Sequence, residues 1–81
     1  MVLDALQMQN RDDAHIYLKD MFRFPDYYGE NLDALYDLLC GVQFLYVRIE
    51  NMTDDNIYTK RIIRVMEAAG AEVEVIKKES L

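Results

Sequence analysis

One apolar run in the middle of the chain most constrains its fold. Residues 44–49 read FLYVRI, a sequence of aromatic, aliphatic and β-branched residues interrupted only by Arg48. Such residues are enriched in strands, and a nearly continuous apolar run is typical of a central strand that is covered on both faces. We therefore expect residues 44–49 to form the middle strand of a sheet.

Weaker patterns on both sides of this run predict the other elements. Residues 2–6 favour a first strand, and the alternating sequence AEVEVIK at 71–77 favours a last strand at an exposed edge. Apolar residues at helical spacing predict three helical regions, which begin after residue 10, at residue 31 and at residue 53. Strands that alternate with helices imply βαβ units, and hence an α/β domain with a small parallel sheet.

Residues that commonly begin or end helices lie at the predicted boundaries. Possible caps before the helices are Asn10, Asp12, Asp13, Asn31 and the Thr-Asp-Asp sequence at 53–55, and possible stops after them are Pro25, Gly41 and Gly70. Gly41 is well placed for the left-handed backbone that often follows a helix. The second helix is therefore expected to end at Cys40.

Size, charge and composition limit the classes of function. The 81 residues, 52% of them apolar, predict one domain over 1–81 with a modest core. A net charge of −6 argues against nucleic acid as a partner, because phosphate binding requires a basic patch. We expect no membrane span and no secretory signal, and the single Cys40 forms no internal disulfide. A cytoplasmic protein is the resulting prediction.

Residues 24–41, FPDYYGENLDALYDLLCG, carry four acidic residues, and no Lys or Arg occurs between Arg23 and Arg48. On a helical wheel Asp33 and Asp37 share one face, with Tyr36 beside them, whereas the leucines of the segment point the other way. Like charges four residues apart repel each other mildly, and a basic ligand would relieve that repulsion. The segment therefore predicts an outward acidic surface that suits a basic partner.

Other interpretations of these residues remain open. Two carboxylates on a helix are usually a solvated face. Their spacing is not that of an EF-hand, and two acids on one helix do not supply the cleft that an acid/base pair needs. His15 and Cys40 are expected to have packing or surface roles, and the basic residues 60, 61 and 64 form a solvated patch. We therefore predict no catalytic residue, metal site or cofactor.

The sequence PDYYGENLDALYD at 25–37 resembles the signature of the barstar family, bacterial intracellular inhibitors of barnase-type ribonucleases. The resemblance is strong over 24–41 and extends loosely over nearly the whole chain. It implies a three-stranded parallel sheet with about four helices. It also implies a basic, barnase-like ribonuclease as partner, an immunity role that protects the producing cell, and a chain that is monomeric when free.

The resemblance assigns binding roles to individual residues. Asp37 matches the central phosphate-mimicking aspartate, Asp33 matches the second key acid, and Tyr27 matches the tyrosine that stacks on an active-site histidine of the nuclease. Further matches to contact or loop-shaping positions are Gly29, Asn31, Tyr36 and Gly41, with Val42 beside Gly41 and Glu67 as the nearest counterpart of a glutamate in the last helix.

This sequence departs from the family's best-known member at three positions. Tyr36 and Val42 replace tryptophans, and Cys40 replaces a threonine. These departures leave an alternative function open, in which the same fold is a non-inhibitory interaction module for a basic partner that is not a nuclease.

Overall fold

Helices separate the strands along the chain, as the sequence predicts. The computed structural model describes residues 1–79, in the order β1 (Val2–Asp4), α1 (Arg11–Phe22), α2 (Leu32–Cys40), β2 (Tyr46–Met52), α3 (Ile57–Ala68) and β3 (Glu72–Lys77). A single-turn 3-10 helix, Ala5–Gln7, follows β1. The expectation of about four helices is corrected to three α-helices within 1–79, because only four residues separate β2 from α3.

The three strands form one parallel sheet in the order β1-β2-β3, which confirms the predicted fold class. Val2 lies opposite Arg48 on one side of the central strand, and Tyr46 lies opposite Glu72 on the other. β3 is an edge strand, as its alternating sequence predicts. The N-terminal ends of β2 and β3 therefore lie beside each other, close to the loop that follows α2.

The central strand is covered on one face only, so the prediction of two covered faces is wrong. Val47 and Ile49 are fully buried, whereas Tyr46 and Arg48 are exposed. The strand also begins at Tyr46 rather than at residue 44. The physical reason is that all three helices pack against the face that carries Val47 and Ile49, so the sheet needs only one apolar face.

The end of β1 comes earlier than predicted and the start of α3 comes later, because side chains cap the backbone at other residues than expected. β1 stops at Asp4, whose carboxylate accepts a hydrogen bond from the Leu6 amide at 2.9 Å and so begins the 3-10 turn. Asn56, not residues 53–55, caps α3. The buried Asn56 side chain accepts from the Thr59 amide and donates to the Ala5 carbonyl, which satisfies both ends of the amide.

Glycine ends α3 as predicted but has a different role after α2. Gly70 has a φ of 97°, a left-handed conformation that favours glycine. Gly41 has a φ of −84°, so the expected left-handed conformation is absent there. The Gly41 and Val42 amides instead donate to the Leu38 and Leu39 carbonyls and continue the right-handed turn.

The core fixes α2 in place through one of its faces. Leu35 and Leu39 are buried in the same hydrophobic core as the fully buried Val47, Ile49 and Ile62. Burying a leucine side chain contributes about 2 kcal/mol of transfer free energy. Because this apolar face is anchored, the opposite face of α2 is held outward.

No helix within residues 1–79 is long and apolar enough to cross a membrane.

Candidate functional site

The outward face of α2 is acidic, as the helical wheel predicts. Asp33 and Asp37 are exposed, and Tyr36 is 42% exposed beside them. Within residues 1–79 neither carboxylate forms an ion pair with a Lys or Arg side chain. Asp33 lies in the first turn, where the helix dipole stabilises a negative charge, but Asp37 lies in the C-terminal half. The Asp37 carboxylate is therefore available to a basic group from outside the chain.

The Asn31 side chain ties the loop before α2 to the helix. The Asn31 amide oxygen accepts a hydrogen bond from the Ala34 amide at 2.7 Å and caps the helix. The Asn31 amide nitrogen donates to the Gly29 carbonyl at 3.2 Å. A Cβ atom at Gly29 would lie 3.2 Å from that same nitrogen, so a side chain there would press on Asn31. Asn31 thus sets the position of the loop relative to the acidic face.

A shallow pocket lies where this loop meets α2. Its volume is about 180 Å³, and it is lined mainly by apolar surface from Tyr27, Tyr28, Gly29, Ala34, Asp37 and Leu38. The structure thus brings Tyr27, Gly29 and Asp37 together around one recess. Tyr27 is 80% exposed at its border. Gly41 and Val42 lie beyond the far end of α2, and the exposed Glu67 lies in the last turn of α3.

Tyr36 and Cys40 interact on the surface of α2, one turn apart. The Cys40 thiol raises the pKa of the Tyr36 phenol, first through a side-chain hydrogen bond and then through its charge. Both side chains are exposed. Tyr36 is therefore a neutral aromatic residue at pH 7, and its hydroxyl adds a polar group beside the two acids.

His15 has a larger role than its sequence indicated. It is fully buried, with Nδ1 2.5 Å from the Tyr28 hydroxyl and Nε2 2.6 Å from the Tyr58 hydroxyl. Burial lowers the pKa of His15, and the nearby positive charge of Arg11 lowers it further. Burial also raises the pKa of Tyr28. From its place in α1, the neutral imidazole of His15 therefore bonds to Tyr28 in the loop before α2 and to Tyr58 in α3.

The sequence carried no specific signal for this connection. Tyr58 is 43 residues from His15, and only the packing of α3 against α1 brings the two side chains together. Tyr28 is adjacent to Tyr27, a predicted contact residue, but its own side chain is buried. The buried Tyr28 thus supports its exposed neighbour Tyr27, and the hydrogen bond with the His15 ring holds Tyr28 in place.

Within residues 1–79, no group of three or more His, Cys, Asp and Glu side chains is arranged to hold a metal ion. The acids of α2 are two side chains on an open surface. Their arrangement suits hydrogen bonding to cationic groups of another molecule, because an ionised carboxylate accepts strong charge-assisted hydrogen bonds from Arg, Lys and His.

Comparison with known proteins identifies the family. Residues 1–78 match the family model Barstar, described as barnase inhibitor. The chain therefore belongs to the barstar family, a family of inhibitors rather than enzymes, and the resemblance seen in the sequence is confirmed. A Bacillus subtilis (strain 168) protein named "Putative ribonuclease inhibitor YrdF" is 49% identical over 41 residues. That match covers 51% of this chain and 45% of the relative, so it spans less than half the length of that protein.

Replacing Asn31 with alanine is expected to affect both stability and binding. Loss of the cap should lower the free energy of unfolding by about 1 kcal/mol, measured by urea denaturation. Freeing the Gly29 carbonyl should also weaken binding to the ribonuclease partner that is proposed below. Asn10 caps α1 through the same kind of bond, at 2.9 Å from the Asp13 amide. Asn10→Ala should therefore cost similar stability without loss of affinity, and equal affinity losses in both variants would contradict a positioning role for Asn31.

Proposed function

We propose that this protein inhibits a small barnase-type ribonuclease by placing α2 and the preceding loop in the active site of the nuclease. The observation that carries this proposal is the pair of exposed acids, Asp33 and Asp37, on a core-anchored helix of a barstar-family chain. The name of the B. subtilis relative also refers to ribonuclease inhibition.

The chemistry of the proposed interface is phosphate mimicry. A ribonuclease active site is cationic because it binds the phosphates of RNA, and an aspartate presents two acceptor oxygens to the same groups. We assign Asp37 as the central mimic, as the family resemblance implies, and Asp37 also lines the pocket formed with Tyr27 and Gly29. Asp33 lies one turn earlier on the same face and acts as the second acid.

Exposed aromatic residues supply the apolar part of the contact. Tyr27 is 80% exposed and lies next to the buried Tyr28, so its ring is available for stacking on an active-site histidine. Tyr36 adds a second ring beside the acids. Aromatic residues next to charged groups are typical of positions where truncation costs the most binding energy. Gly41, Val42 and Glu67 extend the contact toward the end of α2 and the last turn of α3.

The charge of the whole chain assists association. A net charge of −6 attracts a basic nuclease over long distances and raises the rate of encounter. In this proposal the protein acts as a cytoplasmic monomer that protects the producing cell. Because salt screens such attraction over about 10 Å at 0.1 M ionic strength, association should slow as salt is added.

An RNA-cleavage assay tests this function directly. We expect an equimolar amount of the protein to abolish cleavage by a purified barnase-type ribonuclease at low salt. An unrelated ribonuclease of a different fold, assayed under the same conditions, is the control and should keep its full activity. Undiminished cleavage by every barnase-type enzyme tested, at molar excess of the protein, would refute the proposal.

A second candidate function rests on the departures from the family pattern. Tyr36, Cys40 and Val42 change the surface at the end of α2, and all three side chains are exposed. In this alternative the same acidic surface binds a basic protein that is not a nuclease. Affinity capture from the native host, with identification of the bound protein, would distinguish the two candidates.

A further inference from the structure

Phe44 is an exposed aromatic residue in a strained conformation. Its side chain is 99% exposed, and its φ is 57°. A left-handed backbone is uncommon for residues other than glycine, asparagine and aspartate, and it is unusual for a bulky side chain. Such strain destabilises the folded chain and tends to occur at binding sites. Neither the core nor the sheet accounts for a phenylalanine at this position.

The surroundings of Phe44 connect two parts of the proposed interface. Phe44 and Tyr46 line a hollow of about 290 Å³ with Leu45, Gly70 and Glu72. Gly70 follows the turn of α3 that carries Glu67, since the Gly70 amide donates to the Glu67 carbonyl at 3.0 Å. On the other side, Val42 continues the last turn of α2 through its bond to the Leu39 carbonyl. Phe44 thus lies close to the segments that follow α2 and α3.

The charges around this hollow indicate what kind of molecule covers it. Glu72 lines the hollow, Glu74 accepts a hydrogen bond from the Tyr46 hydroxyl, and Glu67 is exposed in the last turn of α3. Arg48, the basic residue near Tyr46, is paired with Glu50, so acids remain in excess around the hollow. A symmetric pairing of two copies through this surface would place like charges opposite each other, which is unfavourable. A basic partner would instead meet acids and apolar rings together. The surroundings therefore favour the same basic protein that α2 is proposed to bind.

We propose that Phe44 is an apolar anchor of the partner-binding surface, and that the partner carries an apolar recess next to its cationic site. This inference rests on the proposed function and specifies the shape of the partner. The acids of α2 supply attraction and orientation. The Phe44 ring supplies burial of apolar area, which salt does not screen and which opposes dissociation.

Phe44→Asn tests the anchor without straining the fold. Asparagine tolerates a positive φ, so the free energy of unfolding should be unchanged or slightly higher. We expect affinity for an inhibited barnase-type ribonuclease to fall by about tenfold, mainly through faster dissociation in surface plasmon resonance. Ile57→Gln is the matched control. Ile57 is 55% exposed in the first turn of α3, at the opposite end of that helix from Glu67, and its replacement should change affinity less than about twofold.

The outcomes separate this inference from the function on which it rests. If Asp37→Ala weakens binding and Phe44→Asn binds like the wild type, the anchor is refuted and the inhibitor function stands. If the wild type binds no barnase-type ribonuclease, both fail. If Phe44→Asn only converts a dimer into a monomer in sedimentation experiments, with unchanged nuclease affinity, the surface joins two copies of this chain and the inference is overturned.

Discussion

Replacing Asp37 with alanine is expected to weaken the complex with a barnase-type ribonuclease at least about a hundredfold, or roughly 3 kcal/mol. In the proposed complex this carboxylate is desolvated against cationic groups, and its removal leaves those positive charges buried without a partner. The affinity should be measured by isothermal titration calorimetry, or by competition if binding is too tight. Inhibition of RNA cleavage should shift by the same factor.

Asp20→Ala is a closely matched control for this experiment. Asp20 is exposed near the C-terminal end of α1, as Asp37 is exposed in the C-terminal half of α2. Each substitution removes one negative charge and an unfavourable interaction with a helix dipole, so neither should destabilise the fold. Long-range attraction is therefore reduced equally in both variants. If Asp20→Ala loses as much affinity as Asp37→Ala, the net charge alone accounts for binding and the phosphate-mimic role is refuted.

Replacing His15 with leucine is expected to lower the free energy of unfolding by about 2–3 kcal/mol. The substitution keeps an apolar side chain in the core but leaves the Tyr28 hydroxyl, on a residue only 5% exposed, without its hydrogen-bond partner. Tyr58 is less buried and reaches water more easily. Urea denaturation measures the change. The loop that carries Tyr27 should also become less ordered, with weaker binding as a second effect.

A double variant distinguishes lost hydrogen bonding from lost packing. Adding Tyr28→Phe to His15→Leu removes the orphaned hydroxyl, so stability should recover by about 1–2 kcal/mol relative to His15→Leu alone. No recovery would show that the ring of His15 contributes through its shape. Tyr58→Phe alone serves as the control for the half-buried end of the connection and should cost less than His15→Leu.

The pH dependence of stability provides an independent measure of the same site. Burial lowers the pKa of His15 below its usual 6.5, so the unfolded chain binds a proton at a higher pH than the folded chain does. The contribution of His15 is therefore fully present above pH 6.5 and is lost as the pH falls from 6.5 through the lower folded pKa. The His15→Leu variant lacks this dependence, and because His15 is the single histidine, the difference between the two curves isolates it.

Local patterns predicted the elements and the acidic face well. Leu35 and Leu39 recur at helical spacing, and their burial follows directly from that period. Asn31 and Gly70 mark helix ends because the capping hydrogen bond and the positive φ are properties of a few adjacent residues. The resemblance over 25–37 correctly indicated the family, because its residues are contiguous in the chain.

Predictions that depended on distant neighbours were less successful. The apolar residues 44–49 are compatible with a strand covered on one face or on two, and only the position of the helices distinguishes these cases. The choice of Asn56 rather than residues 53–55 as the cap of α3 depends on the Ala5 carbonyl, 51 residues away. The number of helices likewise depended on how little chain joins β2 to α3.

The chain's own residues specify a parallel α/β fold and an unpaired acidic face on α2, since helical and strand periods and charge are local properties. Three features depend on the packed structure: the His15 connection between α1, the loop and α3, the uncovered face of the sheet, and the exposure of Phe44. Each of these features depends on whether residues far apart in the sequence pack against each other. That packing determines which side chains are buried and which hydrogen bonds form, and both determine the surface that is proposed to bind a nuclease.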